Sequence, residues 1–397
     1  MGFRQVQGVV AAGKEARPQS PVDLAWLRAH AAEWDRLQES GCEPTPFLAR
    51  SVIEASAIGG VLPADIRFLA PRDGQGLLAL APILARVRLG WRQRPMAGVW
   101  VSPYGPDARP LLDGSRLEAA AEALLDAMEG MERLWLVPQL SLDSRAGAAL
   151  RAAILRRNWP SATFAAFLRP VLARRDSHAA YREGVRARRL DDLDRRRRRL
   201  EAESAVTYEA AVDGERRGLA LEAFLTLEAA GWKGRRGTAL ASHPGSAAYA
   251  RALFAGEPAD VRPRIDRLLV GGETVAASLA LVSHQTAYLL KTAYDSRRRG
   301  SAPGLLLELE IIRACHESGF AERLDSAAVA GGPLAELYPD REPIGDLLFA
   351  TDPGINARDL ARLARSEESR RRTMRRLKDR YWLLRDRLPT VSGRDPR

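Results

Sequence analysis

One order of secondary-structure signals occurs twice along this chain, and that repetition constrains the fold more than any other feature. In the first half, an extended run over 65–69 meets the turn signal Arg72-Asp73-Gly74-Gln75-Gly76. An apolar run over 77–85 then passes into alternating charged and apolar residues over 86–89, and a short extended piece covers 99–102. The pattern next predicts a helix over 116–128, a strand over 134–137, a helix over 145–157 and an extended stretch over 162–168. In the second half, 268–270 is followed by the Gly271-Gly272 turn, a return strand over 274–282 and a third strand over 286–294. A helix over 304–317, closed by Gly319, precedes a strand over 323–329, a short helix over 334–338 and an extended stretch over 343–350. Strand meander, helix, strand, helix, strand, used twice, implies tandem copies of one α/β unit of about 150 residues. Each copy is expected to be a mixed, mostly antiparallel sheet flanked by helices.

The 397 residues divide accordingly into a flexible tail (1–20), a first copy (21–176), a second copy (177–352) and a basic helical tail (353–397). A hydrophobic fraction of 46% argues against wholesale disorder, and no run approaches the ~18 consecutive apolar residues of a membrane span. Cys42 and Cys315 lie far apart and the five histidines are scattered, so neither a disulfide framework nor a structural metal is expected. These features predict a cytoplasmic protein, with attachment to the inner membrane surface left open.

The net charge of +11 is carried almost wholly by arginine, since only four lysines occur against 57 arginines. Such enrichment reflects coding bias as readily as function, so the sum alone is weak support for a nucleic-acid partner. Residues 177–203 read as one long linker helix. Within it Asp191, Asp192 and Asp194 precede Arg195, Arg196 and Arg198 by four, the favourable order for helix ion pairs. Most of the excess charge lies instead in the tail, where 356–388 hold 12 basic and 5 acidic residues. There Met374, Leu377, Tyr381, Leu384 and Leu388 follow a 3-4-3-4 spacing, an apolar seam that could pack on the body, pair two chains as a homodimer or lie on anionic lipid.

Chemistry concentrates in 286–317. A strand runs into a basic turn, Arg297-x-x-Gly300-Ser301-Ala302, and Pro303-Gly304 opens an apolar helix. Glycine at 300 would allow close backbone approach. Proline suits the first helical position because the N–H it lacks has no partner there. The free amides and positive end of the helix dipole would then face a phosphate. The first copy has Ser102-Pro103-Tyr104-Gly105-Pro106-Asp107 at the same place, with prolines removing amides and an aspartate where a cation is needed. That copy is expected to shape an acceptor cleft instead.

The spacing R-x-x-G-x-A after a strand meander resembles the acyl-CoA pyrophosphate loop of GNAT acetyltransferases. Glu228-Ala-Ala-Gly-Trp232-Lys233-Gly234-Arg-Arg-Gly237, with Lys291-Thr-Ala-Tyr294-Asp295, is similar to the CelD-like branch of that superfamily. This branch is akin to the Fem-type aminoacyltransferases, which also carry two GNAT units. The closing Tyr/Phe-Lys-x-x-Trp region of the branch departs here to Leu334-Ala-Glu-Leu-Tyr338-Pro-Asp-Arg-Glu. The resemblance implies transfer from acetyl-CoA or another acyl-CoA to an amine or hydroxyl, on a small molecule, sugar or envelope precursor, without a metal. It also leaves two other readings: a Fem-like transfer from charged tRNA, or a non-catalytic GNAT scaffold or nucleic-acid-binding module, nucleic acid being a partner the sequence disfavours.

On this reading Thr292, Arg297, Arg299, Gly300, Ser301, Ala302 and Gly304 hold the donor. Tyr294 protonates the leaving thiolate or packs on the helix. Glu228 is the base, directly or through water, or a surface carboxylate. Two of the four lysines, Lys233 and Lys291, fall inside the motifs and would bind an acidic acceptor or a phosphate. Trp232 would wall the acceptor pocket, and Asp325 is a further polar candidate. Strict alternation puts Tyr288, Leu290, Thr292 and Tyr294 on one face of the third strand, and Leu289, Lys291, Ala293 and Asp295 on the other.

Overall fold

The computed structural model describes residues 20–105, 107–328 and 332–385. The predicted flexible tail over 1–19, the end of the strand predicted to reach 329, and Leu388 lie outside the described residues. So do the side chain of Leu384 and the chain beyond 385.

Twelve strands form one sheet, and eleven lie on a single path. In chain order these are β1 (Arg67–Leu69), β2 (Ala79–Leu89), β3 (Arg94–Val99), β4 (Leu134–Ser141), β5 (Ser161–Ala173), β6 (Val206–Ala211), β7 (Arg262–Val270), β8 (Glu273–Ser283), β9 (Thr286–Tyr294), β10 (Arg323–Asp325) and β11 (Asp340–Ala350). Their spatial order is β1-β2-β3-β4-β11-β5-β10-β9-β8-β7-β6, with the short strand Leu111–Leu112 pairing β2 off this path. The order is nearly palindromic. In the first half β3 pairs β4 in parallel, and in the second β9 pairs β10 in parallel. The closing strands are exchanged: β11 from the second half lies antiparallel on β4, and β5 from the first half lies antiparallel on β10. β5 and β11 also pair with each other along almost their whole length. The duplication is therefore real in space, yet each copy is completed by a strand of the other.

Among the described residues, twelve α-helices accompany the sheet. Three open the described chain, α1 (Leu24–Ala29), α2 (Ala31–Ser40) and α3 (Arg50–Ile58). α4 (Leu117–Glu129) and α5 (Arg145–Arg156) bury Leu124, Leu125, Leu150 and Ile154 against β2, β3, β4 and β11. The linker is not one helix. It breaks between α6 (His178–Glu183) and α7 (Ala187–Glu201): Gly184 caps the first helix, and Arg186, with ψ 119°, leaves helical geometry and caps the second. One face of α7 buries Leu190, Leu193 and Leu200, while Asp192 pairs with Arg195 and Arg196 at 3.3 and 2.8 Å on its outer side.

The second copy adds α8 (Gly214–Ala230), the single turn α9 (Trp232–Arg235), α10 (Pro244–Ala250) and α11 (Pro303–Ser318). α8 and α10 pack on one face of β7, β8 and β9, together with Val52 and Ala55 of α3. α11 covers the other face through Leu306, Leu307, Ile311 and Ile312, and Gly319 ends it in the left-handed conformation at φ 62°. Finally α12 (Ala357–Arg385) docks by its first turns, burying Leu360 and Ala364 beside β5 and β11. The part of the predicted seam that is described does not dock: Met374, Leu377 and Tyr381 are 45%, 52% and 57% exposed. No helix of the described residues is long and apolar enough to cross a membrane.

Candidate active site

Two departures from regular pairing shape the centre of the second copy. The first is a β-bulge in β9: Leu279 faces Lys291 but Ala280 faces Leu289, so Leu290 is an extra residue. The bulge overturns the strict alternation expected from the sequence. Tyr288, Lys291 and Ala293 all lie on the α8 side, whereas Leu289, Thr292 and Tyr294 lie on the α11 side. The second is a splay. β9 and β10 pair only from Thr286–Arg323 to Tyr288–Asp325, so the edge of β9 from 289 onward is free of β10.

A cleft of about 420 Å³ opens on the α11 side of this splay. Thr292 and Tyr294 form one wall, Arg299, Ala302 and Gly304 the end, Leu305 and Glu308 the floor, and Pro170 of the first copy with residues 332–335 the far wall. The loop at its end is built as the sequence suggests, with differences of detail. Ser296–Ser301 form a 3-10 turn, and Ala302 adopts the left-handed conformation at φ 48°, ψ 52°, costing an alanine roughly 1 kcal/mol. That twist puts Pro303 at the first position of α11 and aims the helix N-terminus at the cleft.

Of the two candidate phosphate arginines only one is available. Arg297 is held by Asp295 at 3.0 Å and Glu273 at 3.5 Å. Burial opposes ionisation of Asp295, but its hydrogen bonds from Arg297 prevail and hold the carboxyl below its usual range. Arg299 lines the cleft and has no acidic partner among the described residues. Ser301 is buried, and the Gly300 carbonyl accepts a 2.6 Å hydrogen bond from Arg196 of α7, which anchors the loop from behind. A Cβ added to Gly304 would lie 3.4 Å from Tyr294 and 3.7 Å from Thr292, in the gap between those walls.

The α8 face of β9 carries the second set. Glu228 is 2% exposed, so the surface alternative for this carboxylate is excluded. Its Oε2 accepts from the Leu240 N–H at 2.7 Å, and Oε1 sits 3.0 Å from Lys291 Nζ and 3.4 Å from Lys233 Nζ. Lys233 also donates to the Thr292 carbonyl at 3.0 Å. Burial pulls the Lys233 pKa down and the neighbouring Lys291 adds to this, against the attraction of Glu228. Gly234 is needed for this cluster to form, because a Cβ there would stand 1.8 Å from the Ala229 carbonyl oxygen. Trp232 is 44% exposed and its ring lies 5.3 Å from the Arg236 guanidinium.

The first copy reaches this face too. Lys291 Nζ lies 5.9 Å from the Tyr104 ring, which stacks on Tyr249 and donates its hydroxyl to Ser246. Buried Arg109, paired with Asp107 at 2.6 Å, donates to the Tyr288 hydroxyl at 2.8 Å. Asp107 thus serves an internal ion pair. Asp325 is not brought to the cleft. It is buried beneath the splay, 3.7 Å from Arg169 and 4.0 Å from Arg323, and burial raises its pKa.

Glu308 is the residue that sequence reasoning missed. It is 1% exposed, accepts from the Tyr338 hydroxyl at 2.5 Å, and burial pushes its pKa up to about 7. The available signal was a glutamate inside a helix apolar on every side.

Comparison with known proteins agrees with this geometry. Residues 186–329 match the family model described as an acetyltransferase (GNAT) domain. The fold is similar to that of the C-terminal domain of a putative lysylphosphatidylglycerol synthetase from Agrobacterium fabrum, at 12% identity and TM-score 0.51, covering 83% of this chain and 95% of that one. It is also similar to FemX, at 11% identity and TM-score 0.52, covering 80% and 95%. Comparison with curated protein sequences gives no match.

Proposed function

We propose, from the match of residues 186–329 to the GNAT acetyltransferase domain model, that the protein transfers an acyl group from acyl-CoA directly to an amine, or to a hydroxyl, of an acceptor bound on the opposite face of β9. The observation that carries this reading is the splay between β9 and β10, with its cleft ending on the N-terminus of α11 and on Arg299, which has no acidic partner among the described residues. A diphosphate fits that end: Arg299 supplies a cation, the first turn of α11 supplies amides, and the open space at Gly300 admits close backbone approach.

In the transfer, the acceptor nitrogen bonds to the thioester carbonyl carbon and the carbon–sulfur bond breaks. The proton leaving nitrogen passes to Glu228 through water, and the departing thiolate takes a proton from Tyr294. Free amides on the splayed edge of β9 would stabilise the oxyanion. Lys233 and Lys291 flank Glu228 and present positive charge to an acidic acceptor group. Trp232 and Tyr104 wall that side.

A Fem-like transfer from charged tRNA is the second reading, favoured by the match to FemX over most of both chains. Calorimetric titration with acetyl-CoA and longer acyl-CoAs, comparing the natural chain with Gly300→Glu, separates them. Saturable binding that Gly300→Glu abolishes is expected. No binding by the natural chain would overturn the acyl-CoA reading.

A further inference from the structure

The end of α12 has no place in the transfer chemistry. The helix is fixed to the body as far as Arg371: Glu367 accepts from the Gly90 N–H, Glu368 from the Ala165 N–H, and Arg371 pairs with Asp346. From 372 to 381 every residue is exposed, so the helix stands clear of the body for ten residues before Trp382 meets Arg236. The stretch continues a helix already nucleated on the body, and its own turns have no surface to pack on. Its apolar seam, Met374, Leu377 and Tyr381, stays exposed, with the neighbouring Trp382 ring 5.3 Å from that of Tyr381. The stretch holds five basic residues and one acidic. Arg375, Arg376, Lys378 and Arg380 have no acidic partner among the described residues.

We propose that this overhanging segment docks the protein on an anionic lipid surface, with the seam in the acyl boundary and the flanking cations among the headgroups. Charge decides against a second copy as the occupant, because pairing two segments would bring net +4 against net +4 across three small apolar contacts. A nucleic acid would satisfy the cations but leave the seam in water. An anionic bilayer satisfies both at once.

The overhang is also tied to the active site. The Arg236 guanidinium lies between two rings, 4.9 Å from Trp382 of α12 and 5.3 Å from Trp232 beside the Glu228 cluster. A membrane under α12 therefore lies against the acceptor side. Resting on the function proposed above, the acceptor class is then an amphiphile held in that membrane by an apolar tail, its amine or hydroxyl near the headgroups.

The test is co-sedimentation of the full chain with vesicles of phosphatidylcholine alone and with about one third phosphatidylglycerol. Binding only to the anionic vesicles, weakening as salt rises, is expected. Arg375→Gln and Arg376→Gln should each lower it about fivefold, at about 1 kcal/mol per cation. Leu377→Ser with Tyr381→Ser should lower it at unchanged charge. All are exposed positions, and acyl-CoA affinity should stay unchanged in each variant, so docking and donor binding fail separately. Equal binding to both vesicle types, or none, overturns the proposal. So does a concentration-dependent dimer dissolved by Leu377→Glu, or binding of duplex DNA that survives Leu377→Ser and displaces the vesicles.

Discussion

Gly304→Ala separates the two roles that a glycine can have at the head of a helix. The residue sits at the second position of α11, and a Cβ built there meets Tyr294 at 3.4 Å and Thr292 at 3.7 Å, both ordinary contacts. The folded protein therefore has room for the methyl. Alanine also restricts the unfolded chain, so the variant should be more stable by about 0.4–1 kcal/mol. With an unfolding entropy near 2.1 cal/mol/K per residue, that is a rise in Tm of about 1 °C for a chain this long. The same methyl projects between the walls of the donor cleft, where over-filling costs a bound ligand about 1–3 kcal/mol. Acyl-CoA affinity should fall by about 5- to 150-fold. Scanning calorimetry and isothermal titration on one preparation read both signs. A variant that binds acyl-CoA as well as the natural chain would show that the donor does not pass Gly304. A variant less stable than the natural chain would refute the packing argument itself.

Other perturbations have equally definite signs. Glu228→Ala strands two largely buried ammonium groups and the Leu240 N–H, and should cost about 3 kcal/mol in urea unfolding, whereas Glu228→Gln keeps the Leu240 bond and should cost clearly less. Glu308 is an acid whose folded pKa, about 7, lies above its ordinary 4.5. Its neutral form is favoured by the fold, so its contribution is complete below pH 4.5 and is lost as pH rises through 7. Glu308→Gln should therefore gain on the natural chain by up to about 3 kcal/mol between those pH values. Unfolding curves at the two ends check this, and a constant difference would refute it. Gly234→Ala must push α9 off the Ala229 carbonyl, and should destabilise by about 1–3 kcal/mol in the same assay, with loss of the Trp232 fluorescence environment. Arg109→Met leaves Asp107 buried without its counter-ion and frees the Tyr288 hydroxyl. It should cost about 3–5 kcal/mol, and a neutral result would mean that the two halves do not depend on this contact.

What could be read from the sequence was local. Third strand 286–294, the Gly271-Gly272 hairpin, Pro303 at the start of α11 and Gly319 at its end follow from turn chemistry and periodicity, and each stands where those rules place it. The bulge at Leu290 did not show, because it is set by how β9 pairs with β8, and it brought Tyr288 onto the face of Lys291 and Ala293. β6 and the three opening helices also escaped notice. β6 is a short edge strand of mixed exposure, and the buried face of α3 is fixed by packing against α8 and α10, far along the chain. At the candidate site, the structure brings both motif lysines to Glu228, a convergence that their spacing in the sequence did not show. Glu308 was hidden by the habit of reading charge as surface. The motif could not say which arginine of the loop is tied up, since that depends on Asp295 and Glu273 folding back on Arg297.

The exchange of β5 and β11 has a consequence for how such a molecule can be taken apart. A chain stopped at 176 would present β4 without the neighbour that covers its edge, and a chain begun at 177 would leave β10 equally bare. Each fragment would also carry one long strand whose proper place is in the missing partner. Supplied together the fragments have a reason to recombine, and supplied alone each exposes a sticky edge. The two halves are therefore structurally dependent on each other, so a change that spoils one strand at the centre unsettles both.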